Sequence, residues 1–584
     1  MGNAISLGYF VVRSLWHKKF GNKKQVSAMV GLQAVQYNWF GLTPASAVDT
    51  ICKLVDNPPK YVFQDSVPAD DEVAQKRGKL LPYEEYAKTV QYQLLGSNPF
   101  EETKLSLSGQ WRHIDGGNNN YDKPWMGQGG HGMALRFTQK PNDNLPDAAE
   151  LIKAFCIRQP DDEAFTPCVN GVNSLVPYFA LLVIHDFFRS DTGRSKAGPT
   201  DRPWVNLHSS YLDLQTVYGY DKQTAKSVRS QQDGKLKPGA IADHRLDRLA
   251  VCHCLILMFA QHHNYICDQL LEKYPDKFKD DDETTFQTAR LINTGVYINL
   301  IIELYACGLF HVWRDDGELP VDLRGLRYPR DMTGYHLSYE FNTMYRFHAF
   351  IPKEWNWLYG LAADAKQMIM AGDFTHSVKS LSDERIKSLL TNAMWNRAGA
   401  NHIPNNVPRV LEDAEVKGLL DSREIGICCY NDFRESVTGQ RYKSFLDLAG
   451  GRQDVADKLA SFYSTVDDVE FYIGMRVETR DPPRGAGFSD TVGRAILADA
   501  LSSIRFDRFY IAEYTPAKYT EWGLQHTKDF HMRDMLKLHL DLDFPVGTPL
   551  CLSPDSNDMP AKFRAERPIP KEGEKQEQAL KKDN

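Results

Sequence analysis

Several chemistries are absent from this sequence. No glycine-rich loop of phosphate-cradling pattern is present, and no paired Cys/His spacing of a zinc site. Neither sign of charge dominates: 69 Lys and Arg face 76 Asp and Glu, a net charge of −7. That balance excludes a general pull toward nucleic acid or anionic membrane. No apolar run reaches the roughly 20 residues of a membrane span. The N-terminus lacks the apolar core and small-residue cleavage site of a secretory signal. Cysteine is sparse, ten in 584 residues at irregular spacing, with Cys252, Cys254 and Cys307 inside apolar helical stretches. They read as reduced, buried thiols of an intracellular protein. What remains is ordinary globular material, 42% hydrophobic and 25% charged, enough for a large core.

No internal repeat and no convincing strand alternation occur, and the chain reads as mainly α. Residues 1–90 form an irregular, partly helical appendage, 91–552 one large domain, and 553–584 a tail rich in Lys, Glu and Pro that is expected to be disordered. A Gly/Asn-rich loop runs from Gly116 to Asn120, with Gly127, Gly129 and Gly130 after it. Apolar helical patterns follow at Leu175–Phe188 and at about 246–273 and 285–307. A further helix, 336–348, is stopped by Pro352, and others are predicted at 380–399, 440–463 and 491–503.

The first residues, Met1-Gly2-Asn3-Ala4-Ile5-Ser6, fit the pattern for myristoylation at Gly2, and Lys18, Lys19, Lys23 and Lys24 follow. An acyl chain with a basic patch gives the two signals that peripheral membrane attachment needs. The same residues also suit a frayed start leading into an amphipathic helix.

Two histidines draw notice. His185 lies in the apolar run Leu181 to Phe188, where an imidazole needs a buried partner. His348 ends the stretch Glu340 to His348, three residues after Tyr345, so on a helix the two share a face. Taken singly, each is equally compatible with core packing.

Together they carry a resemblance. The segment Glu340-Phe341-Asn342-Thr343-Met344-Tyr345-Arg346-Phe347-His348-Ala349-Phe350-Ile351-Pro352 resembles the proximal haem segment of cyclooxygenases and fungal linoleate dioxygenases. Further motifs of that superfamily follow the same order along the chain. Arg112 to Asn120 resembles the stretch before the distal helix, and Ser209 to Gly219 the calcium loop. His262-His263-Asn264 resembles a Glu-His-Asn turn. Gly493 to Ala500, Asp507 to Tyr510 and Thr515-Pro516 are similar to the psi-producing oxygenases of fungi. The resemblance covers about residues 90–525.

It implies a helical haem-peroxidase-like domain with haem buried between helices. It also implies an oxidoreductase that converts an unsaturated fatty acid such as linoleate, with O2, into a hydroperoxide. On this reading His348 ligates the haem iron, Tyr345 is the radical that takes hydrogen from the substrate, and His185 is the distal base. Arg245, 18 residues before His263, stands at the spacing of a distal arginine, though a surface cation reads equally well. Asn431 is expected to orient His348, with Arg434 also on the cofactor side. Asp186, Ser209, Tyr211 and Asp213 would bind calcium through oxygen; a plain Asp-bearing turn is the alternative.

Departures from the pattern matter as well. Ile184 and Arg248 stand where haem-esterifying peroxidases carry carboxylates, which implies noncovalent haem b. Leu181 replaces the distal glutamine, giving a less polar pocket suited to an apolar substrate. Gln215 replaces a serine of the calcium loop. Related fungal enzymes often continue into a cytochrome P450 domain; no Phe-x-x-Gly signature surrounds any cysteine here, so a hydroperoxide is the expected product. A hydrogen-peroxide-dependent peroxidase and an α-dioxygenase attacking carbon 2 are the rival enzymes, and a non-enzymatic haem-binding scaffold is a third reading. Oligomeric state is not readable.

Overall fold

A computed structural model describes residues 111–566, apart from 121–123, 136–144, 161–163, 192–193, 196–197, 200–201, 248, 311–322, 325–334, 352–382, 402 and 479–487. The Gly2 pattern, its lysines and Pro352 lie outside the described residues.

Helices dominate. We number those used below α1 (Ala148–Phe155), α2 (Leu175–Phe187), α3 (Ala250–Lys273), α4 (Asp282–Leu300), α5 (Tyr339–Met344), α6 (Asp383–Trp395), α7 (Glu412–Ile425), α8 (Tyr430–Thr438), α9 (Phe471–Val477), α10 (Asp490–Arg505), α11 (Pro516–Asp529) and α12 (Met532–Leu540). α3, at 24 residues, is about 36 Å long. It is the centre of the fold, packing against α2, α4, α6 and α12.

Local sequence explains the boundaries. α4 starts where the Asp281 side chain accepts a hydrogen bond from the Thr284 amide, with Asp282 and Glu283 favourably placed in the first turn. It then loosens into a π-helical turn, Ile301–Ala306. α5 is capped by Ser338, which accepts from the Phe341 amide. α7 ends at Gly426 in the left-handed region, φ 78°, which favours glycine. The apolar run of α2 is hydrophobic nearly all round and lies inside the core, as such a helix must.

Three expectations change. The polar stretch 191–208 is not all loop: β2 (Ser190–Asp191) and β3 (Arg202–Asn206) join β1 (His131–Gly132) in an antiparallel sheet of order β1-β3-β2. Strands of two to five residues carry too little alternation to read. The helix predicted over 336–348 stops at Met344. Tyr345 caps it and His348 opens a separate 3₁₀ turn, His348–Phe350, so the two do not share one helical face. The tail is not loose from 553 onward: Ser553 is buried, its amide donates to the Gly171 carbonyl and its hydroxyl to the Trp395 carbonyl. Residues 567–584 lie outside the described residues.

Nine described cysteines are free thiols, eight buried and Cys429 half-buried. The continuous helix Asp282–Leu309 is long and apolar enough to cross a membrane by composition, and it is almost wholly buried inside the domain.

Candidate active site

His348 is held from one side. Its Nδ1 meets the carboxylate of Glu415, on α7. Glu415 is fully buried, and Arg476 on α9 donates Nη2 to its Oε2 at 3.1 Å. The same Nη2 donates to the Arg346 carbonyl at 2.8 Å, tying the carboxylate to the chain that carries His348. Burial alone would raise the Glu415 pKa, but Arg476 and His348 together hold it down at about 2. A carboxylate only accepts, so Nδ1 carries the hydrogen of this contact. The His348 side chain keeps 23% of its surface open.

Tyr345 is buried in an aromatic shell. Ring centroids lie at 4.2 Å for Phe341, 4.9 Å for Phe347, 5.9 Å for Phe188, 6.3 Å for Phe187 and 6.4 Å for Tyr305. Burial raises its phenol pKa, and the hydroxyl of Tyr305, in the π-helical turn, offsets part of that rise.

Across from this segment runs α2. All its residues are buried except Leu181, Ile184 and His185, which are partly exposed. Their i, i+3, i+4 spacing makes one stripe. Inside a core helix such a stripe faces a gap in the packing. Nδ1 of His185 is buried without a hydrogen-bond partner among the described residues. Burial first, and then Arg245, pull the His185 pKa down to about 3, so the ring is neutral. Phe187 and Phe188, next along the chain, are the rings against Tyr345.

Arg245 is brought to His185, but by its backbone. Its Nη2 donates to the His185 carbonyl at 3.0 Å, its Nη1 to the Phe188 carbonyl at 2.9 Å, and its remaining donors to Asp243. It thereby closes the C-terminus of α2, where carbonyls lack helical partners and a cation is favoured.

Beneath α2 the loop 209–215 gathers oxygen. The Asp186 and Asp213 carboxylates are both fully buried. Ser209 donates Oγ to Asp213 Oδ2 at 2.5 Å and to the Tyr211 carbonyl at 3.2 Å. Amides of Leu214 and Gln215 donate to Asp186. Burial, then repulsion from Asp213, push the Asp186 carboxyl up to about 8. Arg112 bridges Asp213 and Asp507, joining three segments far apart in sequence. The Gln215 side chain turns away, accepting from the Ser209 amide at 3.1 Å.

The profile of the animal haem peroxidase family matches residues 156–245 and 239–545, most of the chain. The chain belongs to the animal haem peroxidase family. Among curated relatives, the 7,8-linoleate diol synthase of Pyricularia oryzae is 29% identical over 541 residues, covering 82% of this chain and 45% of that protein. The linoleate 10R-lipoxygenase of Aspergillus fumigatus is 30% identical, covering 72% of this chain and 41% of that protein. The chain thus spans less than half the length of these relatives. Among solved structures, the fatty acid alpha-dioxygenase of Arabidopsis thaliana superposes with a TM-score of 0.64 at 16% identity, covering 97% of this chain and 99% of that one. The Oryza sativa fatty acid alpha-dioxygenase gives 0.61 at 17%, covering 93% and 95%. At that identity the likeness concerns the fold, a helical haem-peroxidase-like domain.

Haem is the cofactor that this animal haem peroxidase family implies, and the residues fit it. Two imidazoles on internal segments keep open faces, one with its far nitrogen anchored to a carboxylate and the other with an unpartnered buried nitrogen. A nitrogen ligand with a supported second nitrogen is what haem iron takes from a protein.

Two expected cofactor residues stand elsewhere. Asn431 does not orient His348. It braces Tyr442, donating Nδ2 to the Tyr442 carbonyl and to Asp467 while Oδ1 accepts from the Tyr442 amide. Arg434 is committed to Glu478 and Thr491, each at 2.8 Å. Glu478 also accepts from the Tyr430 and Tyr442 hydroxyls, so Arg434 neutralises a buried carboxylate. The residue that sequence reasoning missed is Glu415, 67 positions after His348 in a segment without a quoted motif.

Proposed function

We propose that this chain is a haem-dependent oxidoreductase that adds O2 to an unsaturated fatty acid of the linoleate type, giving a hydroperoxide. The observation that carries this reading is Tyr345, a buried phenol in an apolar aromatic shell beside both His348 and the end of the His185 helix. Bound haem, ligated by His348, would supply the oxidising equivalents. A phenol whose pKa is raised by burial does not ionise in this shell. It gives up hydrogen as proton and electron together and leaves no buried charge. Tyr345 would then take hydrogen from an allylic or bis-allylic carbon and return it once O2 has added.

The apolar stripe of Leu181 and Ile184 suits a hydrocarbon chain and excludes water. His185, kept neutral by burial, has a nitrogen free to accept a proton from a peroxide and give it back. The names of the relatives, a linoleate diol synthase and a linoleate lipoxygenase, agree with this substrate class. Haem b held without ester links is proposed because Ile184 and Arg248 replace the linking carboxylates. Calcium is proposed for Asp186, Asp213, Ser209 and Tyr211, a set of hard oxygen donors. Peripheral membrane contact through an acylated Gly2 is proposed from sequence alone.

The test is incubation of haem-loaded protein with linoleate under O2, followed by mass spectrometry of the products. A linoleate hydroperoxide is expected. A product oxidised at carbon 2 would favour the α-dioxygenase, and oxidation of phenols by hydrogen peroxide without O2 uptake would favour a peroxidase.

A further inference from the structure

The contacts behind His348 form a closed loop of charge and backbone. His348 Nδ1 meets Glu415; Glu415 meets Arg476; Arg476 meets the carbonyl of Arg346, two residues before His348. Three separate elements, α7, α9 and the segment after α5, meet here, with Glu415 fully buried and Arg476 nearly so. The fold therefore puts a full negative charge on the far side of the imidazole, with one guanidinium to balance it.

An anionic acceptor does two things that a neutral amide or carbonyl does not. It draws the Nδ1 hydrogen more strongly, which fixes the ring plane. It also pushes electron density toward Nε2, making that nitrogen a stronger donor. We infer that Glu415 is the positioning residue of His348, an anionic partner that stabilises the ferric over the ferrous state of a haem bound there. Arg476 tempers the effect by sharing the charge, so that the hydrogen stays on His348. The inference rests on the proposed ligation of haem by His348. Its consequence fits the proposed reaction, since a haem that resists reduction stays available to peroxide.

Haem-loaded protein decides it, through the midpoint potential and the ferrous iron–histidine stretch in resonance Raman, neither of which reads activity. The wild-type stretch should lie above that of myoglobin, measured alongside. Glu415→Gln keeps size and an acceptor but removes charge; it should raise the potential and lower the stretch. Glu415→Asp should restore both toward wild type. Arg476→Gln should move both the opposite way from Glu415→Gln, and it serves should Glu415→Gln fail to hold haem.

A stretch at or below myoglobin's in wild type overturns the inference while leaving His348 as ligand. So does a Glu415→Gln protein whose potential and stretch match wild type. No iron–histidine band in wild type overturns the ligation itself, and the inference with it.

Discussion

His348 has a carboxylate partner; His185 and the trio of His262, His526 and His539 do not. His348 sits against Glu415 and, through it, Arg476. His185, on α2, has no carboxylate partner and is held neutral by burial and by the cation at the end of its helix. His262, His526 and His539 go further: they bond to one another, at 3.1 Å and 3.2 Å, among the rings of Tyr265, Trp522 and Phe530. Burial first lowers the pKa of all three, to about 4 for His526 and His539. One imidazole thus faces a buried carboxylate, and the other four named here are kept uncharged by burial.

The sharpest way to break that contrast is at His348. His348→Ala should lose haem or alter its absorbance grossly, because among the described residues no other imidazole has a fully buried carboxylate as its partner. Normal absorbance with full activity would remove the ligand assignment. Next in size is Asp213→Ala. It leaves Arg112 with Asp507 alone and empties the oxygen cluster under α2, a loss of about 3–5 kcal/mol if the buried pair behaves as others do. Denaturant unfolding measures it, and metal analysis of the active protein tests calcium.

A smaller effect is expected with pH. The folded protein keeps His262, His526 and His539 unprotonated in a range where the unfolded chain protonates them. Stability is therefore full above about pH 6.5 and falls as pH drops from there toward about 4, by up to roughly 3 kcal/mol for each such imidazole. Urea midpoints at pH 7.5 and pH 5 would show it. A His262→Phe/His526→Phe/His539→Phe protein should show a flatter profile; an unchanged profile would mean the cluster is not the source. Smallest for the haem is Asn431→Ala. It should cost about 1–2 kcal/mol through loss of the Tyr442 brace and leave the haem spectrum unchanged. A shifted spectrum would restore Asn431 as the partner of His348.

The reach of the sequence follows the same division. His185, Tyr345 and His348 could be singled out because each lies in a local pattern read over a dozen residues, and the long apolar helices were legible because their burial is written in continuous hydrophobicity. Glu415 was not, since its meaning depends on α7 and α9 converging behind a residue 67 positions away. α7 itself is rich in Glu, Asp, Lys and Arg and shows little apolar face. Arg245 was expected as a distal arginine from spacing alone; its guanidinium sits on the His185 and Phe188 carbonyls, a contact that spacing does not specify. The helix boundary at Met344 was missed for a similar reason. Tyr345 and His348 stand three apart either way, and the break between them is set by the packing of Phe347 against Phe350 and Phe488.

Tyr345→Phe tests the central claim most directly. The change removes one hydroxyl and keeps the ring in its aromatic shell, so the cost in stability should be no more than about 1–3 kcal/mol and haem absorbance should stay near normal. Peroxide should still be consumed with a small reducing co-substrate. Oxygen uptake with linoleate should vanish, since phenylalanine has no O–H hydrogen to exchange with the substrate carbon. Oxygenation of linoleate near the wild-type rate in this variant would contradict the radical relay and put a peroxidase in its place.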